Sequence, residues 1–364
     1  MQLHTIWFVI LAIFWVGFFV LEGFDFGVGM LHTIVGRTDE QRKRALSTIG
    51  PWWDGNEVWL IVAGAGTFAA FPGWYATMFS ALYLALLLVL LALMARGVSF
   101  EFREKSENPR WRSTWRWAMT LGCLLIPLLL GVGLGDLLNG LPIDSSHDYT
   151  GNFFGLLTPY GLWTGVTLVA LCLLHGATFL KLRTTDEVRE RARALARPLG
   201  WATIALVIGW VIWTRSVAGG PDVPQPVEIL AVIAVGFAAR LAMTDHDGLS
   251  FSASAIAIAA TVGSIFIDLY PNVMVSSTNA AYNLTVNNSA SGHYALVVMT
   301  VVAVIFFPIV LLYQGWSFHV FRARVQAPAK PGISPSAPGS GSGAAPARTP
   351  EPPTGPGPAA PQAG

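Results

Sequence analysis

At 364 residues the chain could hold one or two ordinary soluble domains, yet 53% of it is hydrophobic and only 12% is charged. Soluble proteins carry roughly twice that share of charge, and with a mean hydropathy of +0.55 an ordinary soluble fold is excluded. The net charge of +1 points to no class of partner. Cys123 and Cys172 both lie inside apolar runs, so they offer neither a disulfide framework nor metal-ligand spacing.

A helix through a ~30 Å hydrocarbon layer needs about 20 mostly apolar residues. Nine stretches approach that requirement, so an all-α, polytopic membrane protein is expected. They are 5–33, 51–71, 75–95, 116–138, 158–180, 199–214, 227–243, 251–269 and 293–321. The first reads as a span rather than a cleaved leader, because Met1 to His4 lacks a basic stretch. Pro127 and Pro308 should kink the fourth and ninth spans. Gly23/Gly27 and Gly131/Gly135 have the spacing for close helix contact, although glycines merely tolerated in lipid read the same way. Residues 1–324 are expected to form the membrane domain. Residues 325–364, rich in Pro, Ala, Gly and Ser, cannot bury a core and should be a disordered cytoplasmic tail.

Every Lys and Arg except Arg215 falls in alternate loops or the tail, from Arg37 and Arg42 through Arg110 and Arg112 to Arg322. Basic loops face the cytoplasm, which predicts an outer N-terminus and a cytoplasmic C-terminus.

Acids inside apolar spans are costly, roughly 2.5–3.5 kcal/mol at a helix centre, and usually face a partner, a cavity or a proton path. Glu22 and Asp25 sit three apart on one face of the first span, toward its cytoplasmic end. Asp54 and Glu57 open the second span, in Trp53-Asp54-Gly55-Asn56-Glu57-Val58-Trp59. They fit either a capping box or the mouth of a proton route. Trp52 and Trp53 fit an interfacial aromatic belt. After the third span, Glu101 and Lys105 have the spacing of an i,i+4 pair. Asp136 and Asp268 are expected at the outer interface. The histidines, His175 and His319 among them, form no facing pair at membrane depth of the kind a haem between helices needs.

Three ordered runs carry a resemblance: Glu22-Gly-Phe-Asp25-Phe-Gly-Val-Gly29, Trp53 to Leu60, and Arg96-Gly-Val-Ser-Phe-Glu101-Phe-Arg103 with Lys105 beyond. Together they resemble subunit II of the cytochrome bd quinol oxidases. The resemblance implies two four-helix bundles plus a peripheral helix, and a heterodimer with a subunit I that holds b-type and d-type haems. It implies quinol oxidation, reduction of dioxygen to water with cytoplasmic protons, and no haem in this chain. Small single-helix accessory subunits and a bound quinone are further expectations. By motif, Asp54, Glu101 and Lys105 match a cytoplasmic proton route, with Glu22, Asp25 and Glu57 beside it. Glu101 stands where some relatives have Asp, and Glu57 where others have Gln. Trp59 matches a tryptophan near an oxygen tunnel, and Asp25 a buried position. The competing reading is a proton-coupled secondary transporter. Such folds pair broken helices from two related halves at the midplane, whereas these acids cluster at one membrane face.

Overall fold

The computed structural model describes residues 2–219 and 223–326, and the tail from 327 onward lies outside them. A long first helix, α1 (Leu3–Val35), turns through a capping box of Thr38 and Gln41 into the short α2 (Asp39–Ser47). Next come α3 (Trp53–Ala70), α4 (Pro72–Ala81), α5 (Tyr83–Phe102) and α6 (Pro109–Asn139). The second half holds α7 (Pro159–Arg183), α8 (Asp186–Ala218), α9 (Pro226–Ala242), α10 (Asp247–Leu269) and α11 (His293–Val320). Pro72, Pro109, Pro159 and Pro226 each open a helix, where the missing N–H costs nothing. A two-stranded antiparallel ribbon, β1 (Asn272–Met274) and β2 (Leu284–Thr285), lies between α10 and α11.

Seven of these helices (α1, α5 to α8, α10 and α11) are long and apolar enough to cross a membrane. Side chains exposed on α5 and α11, such as Leu91 and Val304, suit lipid or a membrane partner rather than water. This is an all-α, multi-pass membrane protein.

Glycine sets the central crossings. A Cβ on Gly27 would stand 2.0 Å from the Cys172 carbonyl oxygen and 2.7 Å from Gly176 Cα, so α1 and α7 meet backbone to backbone. Gly131 and Gly135 meet Gly165 and Gly161 in the same way where α6 crosses α7. Gly131 and Gly135 are therefore both contact residues, whereas of the first pair Gly27 meets backbone and Gly23 faces the Ile258 and Cys172 side chains.

Several expectations are corrected. The third span is divided at Leu82, although hydrogen bonds from Leu82 N to Met78 O and from Leu86 N to Leu82 O continue the ladder. The sixth span is far longer than 199–214, because Asp186–Arg197, taken for a basic loop, is the first third of α8. Its acids Asp186 and Glu187 stand at the favourable positive end of the helix dipole. Val325 does not leave the protein freely: its N–H donates to Arg183 O at 2.8 Å, and Arg324 pairs with Asp247 at 2.7 Å.

Candidate functional site: a buried acid cluster

Three helices bring the site together. α1 contributes Glu22 and Asp25, both fully buried; α3 contributes Asn56 and Glu57; α5 contributes Arg96, also fully buried. By hydropathy Arg96 belongs to a cytoplasmic loop, but α5 runs on past it to Phe102 and buries it. Its Nη1 donates to Glu22 Oε1 and, at 2.7 Å, to Glu57 Oε1. The guanidinium also lies 5.0 Å from the Phe26 ring centre and 5.9 Å from that of Trp53, within cation–π range.

Asn56 organises the other side. Its Nδ2 donates to Asp25 Oδ2 at 2.7 Å and to Leu21 O at 3.0 Å, while its Oδ1 accepts from Gln314 Nε2 of α11 at 3.0 Å. Glu22 Oε2, Asp25 Oδ1 and Arg96 Nε and Nη2 find no protein partner. Two carboxyl groups thus pair with one guanidinium, and a third, that of Asp25, lies beside them on Asn56. A buried charge is tolerated only when paired, so the cluster holds more acid than its cation can neutralise.

Asp54 and Glu57 do not form a capping box: Trp52 is the N-cap of α3 and no side chain caps it. Asp54 is exposed, whereas the longer side chain of Glu57 reaches inward to Arg96. Glu101 and Lys105 are exposed and make no ion pair with each other; Lys43 bridges to Glu104 instead. Asp54, Glu101 and Lys105 therefore lie outside the cluster, and none hydrogen-bonds to it. Sequence reasoning missed the roles of Arg96, Asn56 and Gln314. The available signal was that two acids buried on α1 require a cation.

Two further networks replace expected interfacial charges. Arg215 joins Glu228 (2.7 Å) and Asp268, all buried, where α8 ends and α9 begins. Asp136 is buried and accepts from Thr158 Oγ1. Toward the basic end, Asp247 gathers Lys181 (2.9 Å), Arg189 (3.1 Å) and Arg324.

The tryptophans of the second-span motif pack against interior aromatic rings. Trp52 is buried and stacks on Phe318 at 5.2 Å, rather than joining a belt, and Trp53 stacks on Phe100 at 4.7 Å. Trp59 is wedged between Phe14 and Phe307, with ring centres 6.2 Å from each.

Two histidines, His32 and His175, are fully buried. His175 meets Ser254 Oγ at 2.7 Å through Nδ1 and Val20 O at 3.2 Å through Nε2, so neither nitrogen is left for iron. His32 meets Gly29 O at 2.7 Å through Nδ1, while its Nε2 finds no protein partner. Among the described residues, no group of three or more His, Cys, Asp or Glu is placed to hold a metal ion. A separate apolar cavity of about 730 Å³ is walled by α3 to α6, with Trp15, Phe68, Tyr75 and Tyr83 on its lining.

The family model for cytochrome bd terminal oxidase subunit II matches residues 3–321. The chain belongs to this family. It is 42% identical over 328 residues to the cytochrome bd ubiquinol oxidase subunit 2 of Bacillus subtilis, covering 89% of this chain and 97% of that one. It is 36% identical over 360 residues to the cytochrome bd-I ubiquinol oxidase subunit 2 of Escherichia coli, covering 89% and 95%. The fold resembles a chain of the bd oxidase of Geobacillus thermodenitrificans, with a TM-score of 0.71 and 18% identity over 88% of this chain and 99% of that one. Membership in the subunit II family sets the transporter alternative aside.

Proposed function

We propose that the chain is the haem-free subunit II of a quinol:oxygen oxidoreductase in a bacterial plasma membrane, and that it conducts cytoplasmic protons toward the site of oxygen reduction. Its partner in this reading is subunit I, which carries the b-type and d-type haems, with small single-helix subunits as further companions. Nine spans follow if α3 and α9, of 18 and 17 residues, cross beside the seven longer helices and α4–α5 crosses as one rod. The two four-helix bundles are then α1, α3, α4–α5 and α6, and α7 to α10, with α11 peripheral. The N-terminus is outside and the C-terminus cytoplasmic.

The observation that carries the proton role is the buried surplus of carboxyl groups around Arg96. Protons enter at the exposed Asp54, Glu101 and Lys105, reach Glu57, and pass along the α1 face to Glu22 and Asp25. Glu57 is suited to the join: its side chain is 23% exposed, while its Oε1 bonds the buried Arg96. Transfer between carboxyls requires hydrogen-bond or one-water spacing. Buried polar atoms are almost always hydrogen-bonded, and the unpartnered atoms of Glu22, Asp25 and Arg96 are where water would complete the chain. Trp59, held rigidly between two phenylalanines, fits the wall of an oxygen route rather than a gate. The apolar cavity has the lining that a quinone's isoprenoid tail would need.

Glu57→Gln tests the reading. Gln keeps an oxygen for Arg96, and Glu22 still neutralises the guanidinium, so the complex should assemble. Quinol oxidase turnover should fall about 10-fold or more, as for loss of a proton-transfer group, and Asp54→Asn should act in the same direction. Wild-type turnover in both assembled variants would overturn the proton role.

A further inference from the structure

We propose that the basic end of the molecule holds a binding site for a phosphate-bearing anion, at lipid-headgroup depth between α2 and the α5–α6 junction. The inference rests on the topology proposed above, in which this end meets the cytoplasmic leaflet. A cavity of about 210 Å³ opens there, lined by Arg42 and Lys43 of α2, Arg103 after α5, and Arg112 and Arg116 of α6, with Asp39, Glu40 and Glu104. Every lining residue is charged, and the five cations exceed the three acids by two.

The acids do not satisfy the cations. Asp39 takes Arg42 at 2.8 Å and Arg112 at 3.7 Å, and Glu104 takes Lys43 at 3.1 Å and Arg103 at 3.6 Å. Among the described residues Arg116 makes no ion pair, and its Nη2 meets only Ser113 Oγ at 3.0 Å. Arg116 is half-buried and lines the cavity together with Arg103 and Arg112, and the fork of a guanidinium suits phosphate oxygens.

Tryptophans fix the depth. Trp111, Trp115 and Trp117 ring the same opening turns of α6, Trp117 is 59% exposed, and Trp111 Nε1 donates to Phe102 O at 2.7 Å. Indoles concentrate at the membrane–water interface, and basic pockets at the cytoplasmic ends of membrane helices hold anionic headgroups. The mixed ring of acids favours one defined phosphate group over loose attraction to any polyanion.

The test uses the full chain purified with its partner subunit in neutral detergent. Phosphatidylglycerol, phosphatidylcholine or inorganic phosphate is added, and retained lipid is counted by native mass spectrometry. The anionic lipid should be retained and phosphatidylcholine lost. Arg116→Gln should lower retention roughly fivefold, the share one basic residue contributes near a charged surface. Arg116→Lys should keep most of it, and Arg110→Gln, exposed and outside the cavity, should keep all of it. Displacement by millimolar inorganic phosphate assigns the site to phosphate in general, whereas resistance assigns it to a lipid headgroup. Equal retention of both lipids, or unchanged retention in assembled Arg103→Gln/Arg116→Gln protein, overturns the site and leaves a self-neutralised ion network. Turnover is not read here, so failure of this site and failure of the proton role remain distinct.

Discussion

Arg96 shows how one side chain ties three helices together. Its Nη1 serves carboxylates from α1 and α3 while its own stem rises from α5. Removing one partner of a buried ion pair costs about 3–5 kcal/mol, because the other charge is left without compensation. Arg96→Met should therefore lower thermal stability steeply in a melting experiment on the purified complex. Replacing the whole set (Arg96→Met with Glu22→Gln and Glu57→Gln) should recover most of that loss, since apolar or neutral substitutes for a buried ionic group are often nearly neutral. Equal melting temperatures for wild type and Arg96→Met would show that the pairing contributes little. The acids were legible in the sequence because charge in an apolar run is conspicuous. Arg96 was not, because it stands where such a run stops, and a loop cation and a buried one look alike there. Asn56 and Gln314 carry no charge to draw notice, and their bond joins residues far apart in the chain.

Among the elements, α1 and α7 are fixed by an absence of side chain. Gly27 and Gly176 face each other so closely that an added Cβ on Gly176 would lie 2.4 Å from the Gly27 carbonyl carbon. Backbone cannot yield as a flexible side chain can. Gly27→Ala should destabilise the protein by about 1–3 kcal/mol, the usual cost of overpacking, whereas Gly236→Ala, with open space around it, should gain slightly from helix propensity. Comparable melting temperatures for the two variants would remove the crossing from the account. Spacing alone located these glycines but could not say whether they touched anything. The helices themselves were legible wherever apolar length defined them. The first third of α8 was not, because Asp186–Arg197 is charged and its pattern is amphipathic rather than apolar. The spacing of Asp54 and Glu57 misled because it suits a capping box, whereas α3 begins at Trp53, a residue before Asp54, with Trp52 as its N-cap.

For the whole molecule, the all-α, multi-pass architecture was legible from hydropathy. The packing of the helices was not, since pairings such as Arg215 with Asp268 depend on which helices are neighbours. Topology can be tested directly because Cys123 and Cys172 are both buried and give little background to an impermeant thiol reagent. In intact cells, Asn287→Cys, in the exposed segment after β2, should label, and Arg110→Cys should not. The opposite pattern would reverse the membrane orientation and remove the cytoplasmic entry for protons.

The sparse attachment of α11 has a consequence for handling the protein. Only Leu296 and Ser317 are buried along its 28 residues. It is tacked at three heights: Trp7 to Thr300 at 3.0 Å, Gln314 to Asn56, and Arg183 to the Phe321 carbonyl. Its outer apolar side chains, Val304 and Phe306 among them, suit lipid or a membrane partner. A solubilising agent that wets its seam would peel α11 away before the inner helices loosen, and Asn56 would lose the amide that steadies its grip on Asp25. If the acid cluster carries protons as proposed, such a preparation would lose turnover while its inner helices stayed folded.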